Sequence, residues 1–137
     1  MFVLNREGTR YAVVRGQMVD AELSAFVQVS ATQLLDQVLG QGDLTKPVSR
    51  YSLFEGWPAL VSTAAIIPND ERPLGDPQTS SVLVFVDKLT PTKLRLIGSG
   101  YGLNNLTLAP DETIDPQRPR VPLDSTGYSL VADLERP

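Results

Sequence analysis

Hydrophobic and polar positions change period several times along the chain, and each change marks an element. Phe2-Val3-Leu4 is a short apolar run, Asn5-Arg6-Glu7-Gly8 is a polar break, and Arg10 to Gly16 carries Tyr11, Val13 and Val14. Such residues suit a pleated surface, so the pattern predicts a hairpin. From Asp20 to Leu39 the period lengthens: Leu23, Phe26, Val27, Leu34, Leu35, Val38 and Leu39 fall on one stripe of a helix. Asp20 is placed to cap it, Ser30 and Ala31 fill the middle of the stripe with small residues, and Gly40 stands where it should stop. Ser49 to Phe54, the tight turn Glu55-Gly56, and Pro58 to Ile67 read as a second hairpin.

Asn69 to Ser80 is broken by Pro and Gly and reads as a loop. Val82 to Val86 is apolar without alternation, as expected of a central strand covered on both faces. A short helix is predicted from Thr90 or Pro91, ending at Gly98-Ser99-Gly100. Leu106 to Leu108 reads as a short strand, Pro110 to Pro122 as an exposed loop, and Gly127 to Leu134 as a final strand. The expected fold is therefore one mixed α/β (α+β) domain over residues 1–137. It has a PAS-like antiparallel sheet of about five to six strands, a long amphipathic helix on one face and a second short helix.

Composition narrows the chemistry. The chain has 137 residues, 12 Lys plus Arg against 16 Asp plus Glu, and neither His nor Cys. A net charge of −4 argues against a nucleic-acid partner, which calls for a basic face. Without His or Cys, the Ser-His-Asp and Cys-His mechanisms, imidazole and thiolate metal sites and disulfides are excluded. No catalytic residue, cofactor or metal site is expected, and the chain reads as a non-enzyme. No run approaches the roughly 18 apolar residues of a membrane span.

Candidate motifs divide accordingly. Gly98-Ser99-Gly100-Tyr101-Gly102 follows a helical pattern, whereas a phosphate-cradling loop precedes a helix, so it reads as helix termination. Asp70-Glu71 and Asp111-Glu112 lack calcium-loop spacing. Asn105-Leu106-Thr107 matches a glycosylation triplet and carries no weight alone. Arg15 and Arg50 lie at predicted strand ends close to aromatic residues, where a guanidinium can take a carboxylate. Ser62 and Thr63 interrupt an apolar strand and can offer hydroxyls to a pocket or to solvent. Trp57, at a turn tip, is expected to be exposed or interfacial. Arg50, Tyr51, Trp57, Ser62 and Tyr101 are the candidate ligand contacts, around a site between the sheet and the loops after the Trp57 hairpin and the Val82 strand.

Several segments resemble the membrane-distal half of a CHASE domain of the fourth type. They are Phe2 to Gly8, the helix predicted from Asp20 to Leu39, Ser49-Arg50-Tyr51 with Glu55-Gly56-Trp57-Pro58-Ala59-Leu60-Val61, and Ser80 to Asp87. The similarity covers roughly residues 2 to 108, and the final Gly127 to Leu134 is similar to that family's terminal strand. Asn5 stands where an acid is common in the family. The long helix that such domains place ahead of this half falls outside the chain, which therefore reads as a piece of a larger receptor. The resemblance implies a periplasmic or extracellular sensor held between two membrane spans, binding a small molecule. It implies an output such as a diguanylate cyclase, a cyclic-di-GMP phosphodiesterase or a histidine kinase elsewhere in the receptor. A homodimerisation or protein-interaction module without a small-molecule ligand is the competing expectation, with the helical stripe facing a partner.

Overall fold

The computed structural model describes residues 1–67, 81–124 and 126–134. Six strands form one antiparallel sheet: β1 (Phe2–Asn5), β2 (Gly8–Val14), β3 (Gln17–Met18), β4 (Val48–Phe54), β5 (Trp57–Ala65) and β6 (Val82–Lys88), in the order β3-β2-β1-β6-β5-β4. A second antiparallel sheet holds β7 (Leu103–Pro110), β8 (Val121–Pro122) and β9 (Tyr128–Leu134) in the order β7-β9-β8. With α1 (Ala31–Leu39) and α2 (Pro91–Gly100), the architecture is α+β. The expected single sheet is thus two. The stretch from Pro110 to Pro122 is not wholly loop, since it contains β8 and a 3-10 turn at Asp111–Thr113. The loop predicted over Asn69 to Ser80 lies outside the described residues.

Both predicted hairpins form, β1–β2 turning between Asn5 and Gly8 and β4–β5 at Glu55-Gly56, and a third, not predicted, joins β2 to β3 at Arg15-Gly16. Arg15-Gly16 and Glu55-Gly56 each place two consecutive residues at positive φ, the twist that matches a two-residue β-hairpin loop. Arg15 and Glu55 also form an ion pair that ties the two turn tips together. The candidate carboxylate-binding role of Arg15 therefore falls to a partner within the chain.

The long helix is the main correction. In place of one helix from Asp20 to Leu39 there is a 3-10 turn at Leu23–Ala25, an extended stretch, and then nine residues of α1. Ser30, expected inside the stripe, is the helix cap: its side chain accepts from Gln33 N–H at 3.1 Å, and Gln33 Oε1 accepts from Ser30 N–H at 3.4 Å. That reciprocal capping box starts a helix at Ala31. Upstream, Phe26 to Val29 lies along the end of β4, with a Val27–Phe54 bridge and hydrogen bonds from Gln28 N–H to Leu53 O (2.9 Å) and Glu55 N–H to Phe26 O (2.8 Å). The β-branched Val27 and Val29 suit extended backbone better than helix.

The apolar residues nevertheless share one core. Leu34, Leu35, Val38 and Leu39 of α1 pack with Leu23, Val27 and Val29 onto Phe2, Leu4, Val61, Val82 and Val84 of the sheet. Phe26 bridges Phe2 and Phe54, with ring centroids 5.9 Å from each. The helical stripe is thus used inside the chain. The opposite sheet face is more open than expected for β6, since Phe85 is 53% exposed and Tyr11 of β2 58%. A smaller cluster of Leu89, Leu94, Leu106 and Leu123 packs α2 against the second sheet. There α2 approaches so closely that a Cβ on Gly98 would meet Leu106 Cβ at 3.1 Å and Leu103 O at 3.2 Å.

The entry to the covering segment is fixed by a hydrogen-bond exchange. Thr9 N–H donates to Glu22 Oε2 at 2.9 Å, and Leu23 N–H donates to Thr9 Oγ1 at 2.9 Å. The backbone and side-chain hydrogen bonds from Thr9 hold the Glu22 carboxyl below its ordinary range. A depressed folded-state pKa adds stability above the unfolded value, about 4.3 for Glu, and that stability disappears as pH falls through the folded value. The difference in urea midpoint between the parent and Glu22→Gln is therefore expected to be largest at neutral pH and to shrink as pH falls below the unfolded value. A difference independent of pH would show that the carboxylate charge contributes nothing.

Candidate functional site

Strand β4 is an edge strand, and its register divides its side chains. Arg50 pairs with Val61, Ser52 with Ala59 and Val48 with Thr63. Residues two apart share a face, so Arg50 and Ser52 lie on the α1 side with the buried Val61 and Thr63. Ser49 and Tyr51 lie on the other side. The extended stretch before α1 follows β4 only as far as Ser52, whose Oγ accepts from Val29 N–H at 3.2 Å. There the chain turns into the capped start of α1. A recess of about 230 Å³ is left between the helix start and the strand, lined by Gln28, Val29, Gln33, Arg50 and Ser52.

Two polar groups on this face lack what burial ordinarily demands. Arg50 Nε–H is shut off from water with no acceptor, and Thr63 Oγ1, in a residue only 1% exposed, has no partner. Most buried polar groups are hydrogen-bonded, and leaving one unmatched costs about 1–3 kcal/mol. No acid lines the recess. Nearby carboxylates are engaged elsewhere: Asp36 with Arg6 at 2.7 Å, Glu55 with Arg15, and Asp124 with Tyr51 N–H at 2.6 Å. The recess therefore presents one cation amid amides and a hydroxyl. Its lining holds no nucleophile–base pair, and the described residues hold no cluster of metal-ligating side chains.

The five candidate contacts do not come together. Arg50 alone lines this recess. Tyr51 faces the opposite side, in a cavity of about 370 Å³ with Leu60, Leu89, Leu96 and Ile97 between the sheet and α2. Of the five candidates, only Tyr51 lines that cavity. Its two charges, Asp87 and Lys93, pair with one another, and its remaining lining is mostly apolar. Trp57, expected to be exposed or interfacial, is half-buried: its Nε1–H donates to Leu89 O at 2.8 Å, and its ring lies 5.9 Å from that of Tyr128. It joins the two sheets. Ser62 is on the outer face, its hydroxyl 3.1 Å from that of Ser49. Tyr101 follows α2 and is 79% exposed.

Gln28, Gln33 and Ser52 are not among the sequence candidates, and Thr63 enters there only beside Ser62. The signal for Ser52 was its spacing of two from Arg50, which places both on one strand face. For Thr63 it was β5 parity, and only the hairpin register assigns Thr63 to the α1 side and Ser62 to the other. Gln28 and Gln33 are reached only once the helix starts at Ala31 rather than near Asp20.

No protein-family model matches the chain, and no curated protein is significantly similar to it.

Buried polar groups without a partner reduce stability. Thr63→Val, which replaces the orphan hydroxyl by a methyl of similar shape, is expected to stabilise the ligand-free chain by about 1 kcal/mol, and Arg50→Met to be neutral or stabilising. Chemical denaturation checks both. Destabilisation of more than about 1 kcal/mol by either variant would mean that its polar group is satisfied in the native state.

Proposed function

We propose that this chain is a ligand-sensing domain that holds a small polar molecule in the recess between the start of α1 and β4. The observation that carries the reading is Arg50, the one charged side chain in the lining of a polar recess whose other polar groups, from Gln28, Gln33 and Ser52, are neutral. The antiparallel sheet, covered on one face by the segment inserted between two hairpins, supports a PAS-like receptacle. With the resemblance to CHASE domains of the fourth type, this makes the chain the membrane-distal part of a bacterial receptor. Its place is outside the cytoplasmic membrane, and its catalytic output lies in another part of that receptor. It performs no bond-making itself.

A route for the signal is built into β4. Arg50 faces the recess, and the next backbone N–H, that of Tyr51, donates to Asp124 in the turn leading to β9. A shift of β4 on ligand binding is thus passed directly to the second sheet and its terminal strand. Moving such an equilibrium from 1:99 to 99:1 requires about 5.5 kcal/mol of differential affinity.

Homodimerisation is the second reading, and one observation favours it. Tyr11, Val3 and Leu83 lie side by side across β2, β1 and β6 on the outer face, with the exposed Phe85 on the same face of β6. Tyr11 and Phe85 are exposed and Val3 and Leu83 between them half-buried, and apolar side chains at the surface of this kind can serve an interface.

A thermal-shift screen of small polar metabolites, followed by NMR of the hits, separates the two. The sensing reading predicts at least one compound that raises the melting temperature and shifts the amides of Val29, Gln33 and Ser52 first. The dimer reading predicts no such compound and a concentration-dependent sedimentation coefficient that Phe85→Glu abolishes.

A further inference from the structure

We infer that the molecule held at Arg50 is a short-chain carboxylate, with its carboxyl group as the counter-charge that the recess lacks. This rests on the sensing reading and gives the class of ligand. The argument starts from the charge count at the recess. Arg50 is the one ionisable side chain in its lining, and the other polar groups, from Gln28, Gln33 and Ser52, are neutral. A half-buried cation without a counter-charge favours an anion. One cation is balanced by a monoanion, whereas a doubly charged phosphate would bring a second charge with nothing to meet it.

Geometry narrows the choice further. A guanidinium presents N–H groups in a planar fork whose spacing matches the two oxygens of a carboxylate. Arg50 is anchored in a strand whose register fixes its face, opposite Val61. The start of α1 adds to the same field. Gln33 of its first turn lines the recess, and backbone N–H groups at a helix start carry partial positive charge that favours an anion. The neutral amides and the hydroxyl can both donate and accept, which suits a hydroxyl or amino substituent next to the carboxyl group.

Size sets the upper limit. A recess of about 230 Å³ takes about eight water-sized groups at roughly 30 Å³ each. That is room for a two- to four-carbon hydroxy or amino acid, and less than the roughly 300–1,000 Å³ of pockets that enclose drug-sized ligands.

Isothermal titration of the chain with glycolate, L-lactate and L-alanine, with their neutral amides, with phenyllactate and with inorganic phosphate tests the inference. At least one of the three small acids is expected to bind, with its amide about tenfold weaker or worse, and with phenyllactate and phosphate both weaker than that acid. Arg50→Gln should abolish this binding. Arg50→Lys, which keeps the charge and loses the fork, should weaken it by about tenfold and provides the result should the Gln variant not fold. Equal binding of an acid and its amide, or phosphate binding as tight as the best acid, would overturn the carboxylate assignment. Phenyllactate binding more tightly than lactate would overturn the size limit. Where none of these acids binds but a neutral compound from the thermal-shift screen shifts the recess amides, this inference fails and the sensing reading stands. Where neither acids nor screen compounds bind, both fail.

Discussion

The constraint on which this structure turns is that one short segment must cover the inner face of a six-stranded sheet and does not reach all of it. Residues 19–39 supply the cover, and within them only Ala31–Leu39 is α-helical. Their apolar side chains fill the space over β1, β6 and the middle of β5. At β4 the cover is extended backbone, pinned by the Val27–Phe54 bridge and by Ser52, and it leaves the strand where Arg50 begins. Among Val48, Ala59 and Val61 the same sheet face carries three polar residues, Arg50, Ser52 and Thr63. The recess lies between the strand and the helix start, and its one charge comes from the strand.

The same strand joins the two sheets. Opposite faces of β4 carry Arg50 and Tyr51, and its free edge is engaged twice, by the stretch before α1 at Leu53 and by Asp124 at Tyr51 N–H. Asp124 holds a left-handed backbone conformation, φ 47°, which Asp tolerates better than most residues. Trp57 makes the second junction through Leu89 O and the Tyr128 ring. An edge strand held at several points by different elements is suited to passing a displacement on, because it cannot move without moving one of them.

Much of this fold was legible in the sequence where local chemistry decides it. Glu55-Gly56 is a turn because of the glycine and the flanking apolar runs, and α2 starts where Thr90 precedes Pro91 and accepts from Lys93 N–H at 3.3 Å. The helix expected from Asp20 failed for a different reason. Its apolar spacing fits a helix, but Ser30 with Gln33 three residues on is also a start signal, and tertiary pairing of Phe26 to Val29 with β4 decided between them. The second sheet was legible only as fragments, since the β7–β9 register shifts between Asn104 and Thr107, where Asn105 has a positive φ. Arg50 could be picked out by residue type beside aromatics. Which neighbours it would meet could not, because strand parity depends on pairings distant in sequence.

The central claim is that Arg50 meets no counter-charge in the recess lining and finds one in a bound carboxylate. The most direct measurement is the guanidinium N–H resonance of Arg50 in nitrogen-edited NMR, recorded without and with saturating acetate, the carboxylate group with almost nothing attached. The account predicts a downfield movement of that resonance on adding acetate, absent with acetamide. A resonance already at the hydrogen-bonded position in the free chain, and unmoved by acetate, would contradict it.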